Sequence, residues 1–210
     1  PDEKLLKLIQ DLVDFPNTKL AIVSGRDQKF LEKWFGHLSV TLVAEHGYFI
    51  KHKNQKWTEK ETQQKNWKED LIPLMETFTD RTPGTFIEEK KNSLVWHYRK
   101  TDPELAAERV VELKTVLSSL ISDELHLLDG EKIIEVVGGR FNKGSAVSEI
   151  IGDKESEFML CFGDDVTDEF MFNDLPTHSI NIKVGKKTTQ ANYCISNTSA
   201  VKSLLRAFIS

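Results

Sequence analysis

The sequence predicts an α/β protein whose parallel-sheet core is interrupted by an inserted α+β unit. Near both ends of the chain, continuous apolar strands alternate with helices, which is typical of a parallel sheet covered on both faces. Between residues 48 and 138 the pattern changes to short alternating strands and hairpin turns, which indicates an antiparallel sheet. We therefore expect a discontinuous core, formed by residues 1–47 and 139–210, and an inserted domain formed by residues 48–138.

The composition limits the class of protein. Of the 210 residues, 39% are hydrophobic, and 12 Phe and 4 Trp supply enough core material to argue against intrinsic disorder. The net charge of −5 argues against a general nucleic-acid binder, because binding to phosphate backbones needs a basic surface. No apolar run reaches the roughly 18 residues of a membrane span, so no membrane partner is expected.

The two cysteines, Cys161 and Cys194, lie inside apolar runs that are predicted to be strands. Two buried thiols indicate a reducing compartment and not a disulfide framework, so we expect a cytoplasmic protein. The chain has no Cys-x-x-Cys motif and no close Cys/His cluster, which argues against a structural zinc site.

The first half of the core is predicted to alternate helices and strands. Apolar residues at helical spacing indicate the helices, and short continuous apolar runs indicate buried strands. In chain order these are a helix at 2–14, a strand at 19–23, a helix at 27–35 and a strand at 41–44. The two strands end in polar tripeptides, Ser24-Gly25-Arg26 and Glu45-His46-Gly47.

The insert is predicted to be an antiparallel sheet with two helices. In chain order it contains a helix at 67–79, strands at 85–90 and 93–99, a helix at 103–120, and strands at 125–128 and 132–137. Asp102 is a good helix N-cap, and Pro103 suits the first helical position. The expected hairpin turns are Lys91-Asn92 and Asp129-Gly130, the second of which is a typical type I′ pair.

The second half of the core returns to alternating helices and strands. In chain order we expect a helix at 143–151 and a strand at 158–162, and then a helix that follows Gly163-Asp164-Asp165 and extends through residues 171–172. Strands at 179–184 and 193–195 and a helix at 199–208 complete the chain. Ligands of open α/β sheets bind at the carboxyl ends of the strands. The polar residues at those ends are therefore the candidate site.

Four acidic residues follow the strand at 158–162, within the sequence GDDVTDE at 163–169. Carboxylates this close repel one another unless a cation lies among them, and Mg²⁺ takes one or two carboxylates together with phosphate oxygens and water. The alternative is an acidic helix start. It explains Asp168 and Glu169 but not Asp164 and Asp165, which directly follow an apolar strand, so a Mg²⁺ site is favoured.

Two further positions suit an anion. The Ser24 hydroxyl, the N–H groups of a helix start and the Arg26 guanidinium can bind an anion together, although Ser-Gly is also an ordinary loop pair. Lys143 lies at a helix start, where the helix dipole disfavours a cation, so a facing anion explains it as well as a solvated loop position does. A hydroxyl, a lysine and a carboxylate cluster together predict Mg²⁺-dependent phosphoryl transfer.

These motifs resemble those of the haloacid dehalogenase superfamily and, within it, the trehalose-6-phosphate phosphatase family. Ser24 matches the second motif of the superfamily, Lys143 the third, and Asp164 with Asp168 the fourth. The narrower resemblance rests on segments spread over nearly the whole chain: Val23-Ser24-Gly25-Arg26, Glu45-His46-Gly47, Glu88-Glu89-Lys90, SLVWHYR at 93–99 and GDDVTDE at 163–169. The resemblance implies a Rossmann-like parallel-sheet core of the haloacid dehalogenase type with an inserted α+β cap.

The resemblance also implies a role for each matched residue. Ser24 and Lys143 are expected to bind the phosphoryl oxygens, and Asp164 is expected to bind Mg²⁺. Asp168 and Asp165 are expected to support the metal, and Arg26 to lie near the substrate entrance. Four cap residues are expected to recognise the sugar: Glu88, Lys90, Arg99 and Glu135. For these four, the alternative is cross-strand ion pairing on a solvated sheet face.

The chain departs from the superfamily pattern at its first motif. That motif is a strand ending in Asp-x-Asp-Gly-Thr, whose first Asp is the nucleophile and whose second Asp is the general acid and base. No two Asp residues of this chain are separated by a single position. The helix at 2–14 and the missing initiator Met indicate that the nucleophile lies upstream of residue 1. Loss of catalysis with retained sugar-phosphate binding is the alternative.

The resemblance therefore implies a cytoplasmic, Mg²⁺-dependent phosphatase that hydrolyses trehalose 6-phosphate through an aspartyl-phosphate. Since the numbered chain lacks the nucleophile motif, we expect it to be inactive by itself. One alternative is a related phosphatase for a sucrose- or mannosyl-type sugar phosphate. The other is a non-catalytic sugar-phosphate-binding module fused to a trehalose-phosphate synthase.

Overall fold

The computed structural model describes residues 1–61, 66–122, 124–152, 158–186 and 188–209, and these form two compact units. Unit 1 comprises Pro1–Glu59 and Phe141–Ser210, and unit 2 comprises Lys60–Arg140. The limits predicted from the sequence, 48 and 138, differ from these because the residues that follow 47 continue the sheet of unit 1. The assignment of a core and a cap stays a prediction.

Helices and strands alternate along the described residues. The helices are α1 Glu3–Asp14, α2 Gln28–Phe35, α3 Trp67–Asp80, α4 Pro103–Leu120, α5 Lys143–Ile151, α6 Asp168–Asp174 and α7 Thr198–Phe208. The strands are β1 Ala21–Val23, β2 Thr41–Ala44, β3 Phe49–Lys51, β4 Thr58–Glu59, β5 Phe86–Glu89, β6 Ser93–His97, β7 Leu125–Gly130, β8 Ile133–Gly138, β9 Leu160–Gly163, β10 Ile180–Val184 and β11 Tyr193–Ile195. A 3-10 turn, Glu45–Gly47, follows β2.

Side-chain caps explain where several helices begin. The Asp27 carboxylate accepts a hydrogen bond from the N–H of Phe30 at 2.7 Å, and Asp102 accepts from the N–H of Leu105 at 3.1 Å. The helix starts predicted at Asp27 and Asp102 are therefore confirmed. None of the described helices has the length and apolar composition that a bilayer crossing needs.

Unit 1 contains two separate sheets among its described residues. The first has the order β1-β2-β3-β4, in which β1 and β2 are parallel and the other pairs are antiparallel. The second has the order β11-β10-β9, and both of its pairs are parallel. The parallel pairs confirm the predicted α/β core.

Three strands of unit 1 are less buried than the sequence predicts. β1, β9 and β11 lie at the edges of their sheets and pair on one side only within the described residues. Consequently Val23 and Phe162, expected to be buried, are only partly covered. The prediction that both thiols are buried is wrong, because Cys161 is partly buried in β9 and Cys194 is exposed in β11.

Helix α5 connects the two sheets of unit 1. Val43 and Ile50, on one face of β2 and β3, pack with Ala146 of α5. The opposite face of the same sheet packs against α2 through Leu42 and Leu31. Because α5 also packs against α6, it brings the carboxyl end of β2 into the neighbourhood of the turn that follows β9.

Unit 2 is an antiparallel sheet, in the order β5-β6-β8-β7, with α3 and α4 packed on one face. Its core is formed by fully or almost fully buried side chains from the sheet and both helices: Leu71, Met75, Leu94, Trp96, Leu113, Leu117, Ile134 and Val136. This arrangement agrees with the predicted sheet and two helices.

The hairpin between β7 and β8 turns two residues later than predicted. Asp129 and Gly130 still belong to β7, where Gly130 is paired with Ile133. The turn residues are therefore Glu131 and Lys132, and Lys132 has a φ of 66°. The prediction of an Asp129-Gly130 turn is wrong, because the strand register is decided by which side chains enter the core.

Candidate active site

Ser24 lies directly after β1, at the carboxyl end of that strand. Its N–H donates to the carbonyl of Val43 at 3.0 Å, which extends the pairing of β1 with β2. Its Oγ accepts a hydrogen bond from the N–H of Arg26 at 3.1 Å, so the hydroxyl proton stays available for a ligand. The Arg26 side chain is exposed, with its guanidinium 5.0 Å from the centre of the Phe30 ring.

The 3-10 turn connects the end of β1 to the start of α5. The N–H of His46 donates to the carbonyl of Ser24 at 3.1 Å, and a Cβ added at Gly25 would lie 2.4 Å from Nε2 of His46. Gly47 has a φ of 114°, and a Cβ there would lie 2.8 Å from the carbonyl oxygen of Asn142. Because glycine permits both close approaches, the turn holds Ser24 near the N-cap of α5.

Lys143 is the first residue of α5 and is only 6% exposed. Asn142 and Ser145 form a capping box, in which the Asn142 carboxamide accepts the N–H of Ser145 at 3.0 Å and Ser145 Oγ accepts the N–H of Asn142 at 2.9 Å. The cap fixes the direction in which Lys143 leaves the helix, and its Nζ donates to Oδ1 of Asp168 at 2.8 Å. The alternative of a solvated loop lysine is therefore excluded.

Asp168, at the start of α6, organises the turn that follows β9. Its Oδ2 accepts hydrogen bonds from the N–H of Asp164 at 2.8 Å and from the N–H of Asp165 at 2.9 Å. Its Oδ1 accepts the hydrogen bond from Nζ of Lys143. A Cβ added at Gly163 would lie 2.3 Å from the Cβ of Asp168, so the turn packs directly on this side chain. Both carboxylate oxygens of Asp168 are thus hydrogen-bonded, and its role as a metal ligand stays a prediction.

Lys183 is not among the residues that the sequence predicts for the site, yet it contacts the same turn. It lies in β10, is 2% exposed, and its Nζ donates to Oε1 of Glu169 at 2.7 Å and to the carbonyl of Asp165 at 3.0 Å. Burial raises the pKa of Glu169, but hydrogen bonds from Lys183, Gln190 and Thr189 outweigh it, and the pKa is lowered. A lysine within a mostly apolar strand is the signal in the sequence, because a buried cation requires a partner.

Cys161 lies close to the Lys143–Asp168 pair but is unsuited to nucleophilic attack. Burial, and to a lesser extent the charge of Asp168, raise the pKa of this thiol to about 12, although the charge of Lys143 opposes both. The thiol is therefore protonated at neutral pH, whereas the thiolate is the reactive form.

The carboxylates after β9 suit a divalent cation that takes its other ligands from a phosphate and from water. Asp164 is exposed and Asp165 is partly buried at adjacent positions of the turn. Among the residues that the structure describes, no three His, Cys, Asp or Glu side chains are grouped as in an all-protein metal site. Mg²⁺ typically takes one or two carboxylates plus phosphate oxygens and water, so Asp164 and Asp165 fit such an ion.

Three of the four predicted sugar-binding residues lie on one face of the unit 2 sheet. Glu88 is paired with Val95, and Val95 with Glu135, so both carboxylates point to the same side. Nζ of Lys90 donates to Oε1 of Glu135 at 2.9 Å, and Oγ of Ser93 donates to the same oxygen at 2.6 Å. Because Glu135 is 3% exposed, this ion pair is not on a solvated face.

The fourth residue, Arg99, lies apart from this group. It lies two residues after the end of β6 and is exposed, with one guanidinium N–H donating to the carbonyl of Glu131 at 3.0 Å. Glu88 instead contacts Nε2 of His97 at 2.8 Å, and the His97 ring stacks on Phe86 with 4.3 Å between the ring centres. The structure therefore brings together Lys90 and Glu135, and it places Arg99 beside the β7–β8 turn.

Comparison with known proteins agrees with these features. The family model described as trehalose-phosphatase matches residues 1–204. A bifunctional trehalose-6-phosphate synthase/phosphatase of Thermoproteus tenax is 37% identical over 206 residues, which cover 98% of this chain and 28% of that protein. A trehalose-phosphatase of Saccharomyces cerevisiae is 40% identical over 201 residues, covering 84% of this chain and 22% of that protein. The chain thus spans about a quarter of the length of these relatives.

A solved structure extends the likeness to the fold. The C-terminal domain of the C. albicans trehalose-6-phosphate phosphatase matches with a TM-score of 0.92 and 32% identity, over 100% of this chain and 84% of that one. The predicted resemblance to phosphatases of the haloacid dehalogenase type, which in general use a divalent metal ion, is confirmed. With a family model that spans all but its last six residues, the chain belongs to the trehalose-phosphatase family.

Proposed function

We propose that the protein containing this chain is a Mg²⁺-dependent phosphatase that hydrolyses trehalose 6-phosphate to trehalose and phosphate. The observation that carries the proposal is the buried Lys143–Asp168 pair, which holds the turn of Asp164 and Asp165 at the carboxyl end of a parallel strand. A lysine, adjacent carboxylates and the Ser24 hydroxyl are the groups that phosphoryl transfer requires. Membership of the trehalose-phosphatase family supports trehalose 6-phosphate as the substrate.

Ser24 and Lys143 bind the phosphoryl group. The Lys143 ammonium has three N–H donors, of which one is bonded to Asp168, so the others are available for phosphoryl oxygens. The hydroxyl of Ser24 supplies a further donor. These donors are already oriented before the reaction, and they stabilise the negative charge that the phosphoryl oxygens carry in the transition state.

Asp164 and Asp165 hold Mg²⁺, which when bound neutralises the charge of the phosphoryl group. Asp168 contributes through the backbone, because it orients the two N–H groups of the turn. Arg26, exposed at the end of β1, contacts the entering substrate. In unit 2, the group of Glu88, Lys90 and Glu135 binds the sugar hydroxyls, since carboxylates accept from hydroxyl groups and Lys donates to them. Arg99, which lies apart from this group beside the β7–β8 turn, is a further donor to the sugar.

The nucleophile is the first Asp of an Asp-x-Asp-Gly-Thr strand outside these 210 residues. Two observations support this. The chain has no Asp-x-Asp pair, and β1 and β9 each have an unpaired edge and partly exposed apolar side chains within the described residues. A parallel strand between β1 and β9 satisfies both edges, and its carboxyl end lies beside Ser24 and Asp164.

The reaction then has two steps. The nucleophilic carboxylate attacks phosphorus, and the bond to trehalose breaks as the second Asp gives its proton to the leaving oxygen. Water next attacks the aspartyl-phosphate, the second Asp takes a proton from that water, and phosphate leaves as the nucleophilic carboxylate is restored.

A cytoplasmic location belongs to the same proposal. Cys161 and Cys194 are both free thiols, as is usual for proteins of reducing compartments.

A second candidate is a sugar-phosphate-binding module without catalysis, fused to a trehalose-phosphate synthase. Two observations favour it: the chain has no Asp-x-Asp pair, and the T. tenax relative combines synthase and phosphatase in its name. This candidate predicts binding of trehalose 6-phosphate without turnover.

Phosphate release by the purified full-length protein tests the proposal, with trehalose 6-phosphate and sucrose 6-phosphate as substrates, with and without Mg²⁺. We expect Mg²⁺-dependent release from trehalose 6-phosphate, and a decrease of about 10²–10³-fold in kcat for folded Lys143→Met. Lys51→Met, which removes another ion pair of unit 1, is the matched control and should keep full activity.

Two outcomes would contradict the proposal. Binding of trehalose 6-phosphate without phosphate release would identify the module, and release from sucrose 6-phosphate alone would identify a related phosphatase.

A further inference from the structure

We infer that Lys183 and Glu169 form a positioning pair that sets the direction of the Asp164 and Asp165 carboxylates. The inference rests on the proposed function, in which these carboxylates hold a divalent cation. Lys183 and Glu169 touch neither the cation nor the substrate in this arrangement. They act through the backbone of the turn that follows β9.

The backbone of Asp165 is held at both ends by buried charged side chains. Its N–H donates to Oδ2 of Asp168 at 2.9 Å, and its carbonyl accepts a hydrogen bond from Nζ of Lys183 at 3.0 Å. The N–H of Asp164 donates to the same Asp168 oxygen at 2.8 Å. Three bonds to charged groups therefore fix the peptide groups from which both carboxylates project.

Glu169 holds Lys183 in position. Its Oε1 accepts a hydrogen bond from Nζ of Lys183 at 2.7 Å. Its Oε2 accepts hydrogen bonds from Oγ1 of Thr189 at 3.0 Å and from the N–H of Gln190 at 2.8 Å. Both oxygens of Glu169 are thus bonded. The pair consequently ties the start of α6 to β10 and to the segment that follows it.

Stability alone does not explain a lysine at this position. Lys183 is 2% exposed and lies between Ile182 and Val184. An apolar side chain there would avoid the desolvation of an ammonium group, and replacing a buried ion pair by apolar residues is often neutral or stabilising. The hydrogen bond from Nζ to the carbonyl of Asp165 explains the lysine, because an apolar side chain has no donor for that carbonyl.

Two variants remove the pair in different ways. Lys183→Met replaces the ammonium group with an apolar side chain of nearly the same length. The combination of Lys183→Met with Glu169→Gln removes both charges, so that no carboxylate is left buried without its counter-ion. Lys51→Met, which breaks the ion pair with Glu32 in the same unit, is the matched control.

The readouts separate metal binding from substrate binding. Titration of the full-length protein with Mn²⁺, followed by electron paramagnetic resonance, gives the dissociation constant of the metal without any turnover. Steady-state kinetics give the Mg²⁺ concentration for half-maximal activity and the KM for trehalose 6-phosphate at saturating Mg²⁺.

We expect weaker metal binding in both Lys183 variants. Groups that orient metal ligands typically contribute about 10–100-fold to metal affinity, so the Mn²⁺ dissociation constant should rise by at least about 10-fold. The Mg²⁺ concentration for half-maximal activity should rise in proportion, while KM at saturating Mg²⁺ changes by less than about twofold. Lys51→Met should match the wild-type protein.

A wild-type Mn²⁺ dissociation constant in the variant that lacks both charges would overturn the inference. Parallel changes in Mn²⁺ affinity and KM, or failure of both variants to fold, would overturn it as well, because Lys183 would then serve the fold. Wild-type protein that binds Mn²⁺ but does not hydrolyse trehalose 6-phosphate would contradict only the proposed function. Wild-type protein that binds no Mn²⁺ would overturn both.

Discussion

Replacing Lys143 with Met should destabilise unit 1 by about 3 kcal/mol. Lys143 and Asp168 form an ion pair at 2.8 Å, and their side chains are 8% and 7% exposed. Removing one partner of a buried ion pair costs about 3–5 kcal/mol, because the other charge loses its counter-ion. Asp168 keeps hydrogen bonds from the N–H groups of Asp164 and Asp165, so we expect the lower end of this range.

A double-mutant cycle isolates the interaction between the two charges. Asp168→Asn should also cost about 3 kcal/mol, because it leaves the buried ammonium without a counter-ion. The variant with both substitutions should cost about 4 kcal/mol and not the sum of the two, which corresponds to a coupling of about 2 kcal/mol. Native-state hydrogen exchange at the amides of α5 and α6 measures these free energies, with the amides of β6 in unit 2 as the internal reference.

The matched control is Lys51→Met. Its ion pair with Glu32 is more exposed, at 16% and 47%, and should contribute less than about 1 kcal/mol. Additive costs of the two single substitutions would refute the reasoning. A loss below about 0.5 kcal/mol for Lys143→Met would refute it too, because a buried unpaired carboxylate must be costly.

Two further predictions concern the same region. Gly144→Ala should destabilise unit 1 by about 1–3 kcal/mol although alanine is the better helix former, because its Cβ would lie 2.4 Å from the carbonyl oxygen of Phe170 in α6; hydrogen exchange in α5 that is as slow as in the wild type would contradict this. Iodoacetamide at pH 8 should label Cys194 quickly and Cys161 slowly, because Cys194 is exposed and burial raises the pKa of Cys161 to about 12. Mass spectrometry of the labelled peptides measures both rates, and equal rates would show that the Cys161 thiol is not protected.

Elements that depend on neighbours in the chain could be predicted from the sequence. The cap at Asp27 acts on an N–H only three residues away, and Asp102 does the same, so both helix starts are visible in the sequence. The β7–β8 turn could not be predicted in this way. Asp129-Gly130 has the higher turn preference, but the pairing of Gly130 with Ile133 moves the turn onward, because register follows the packing of the core.

In the candidate site, too, the positions of the residues could be predicted from the sequence, whereas the contacts between them could not. Its predicted residues stand at strand ends and helix starts, as the apolar pattern indicates. The pairs among them are not local: Lys143 and Asp168 are 25 residues apart, and Lys183 and Asp165 are 18 residues apart. No periodicity relates such positions, so the contribution of Lys183 had to come from the structure.

The sequence by itself determined most of the helices and strands, but not β3 and β4, and it also determined the polar groups that follow β1 and β9. Both depend on the length and period of apolar runs. Only the tertiary structure decided which strands are edges, and hence that Val23 is half-buried and Cys194 exposed. It also decided that Asp168 is enclosed by hydrogen bonds while Asp164 stays exposed. The physical reason is range: propensities act within a few residues, whereas burial and side-chain pairing depend on elements that meet only when the chain is folded.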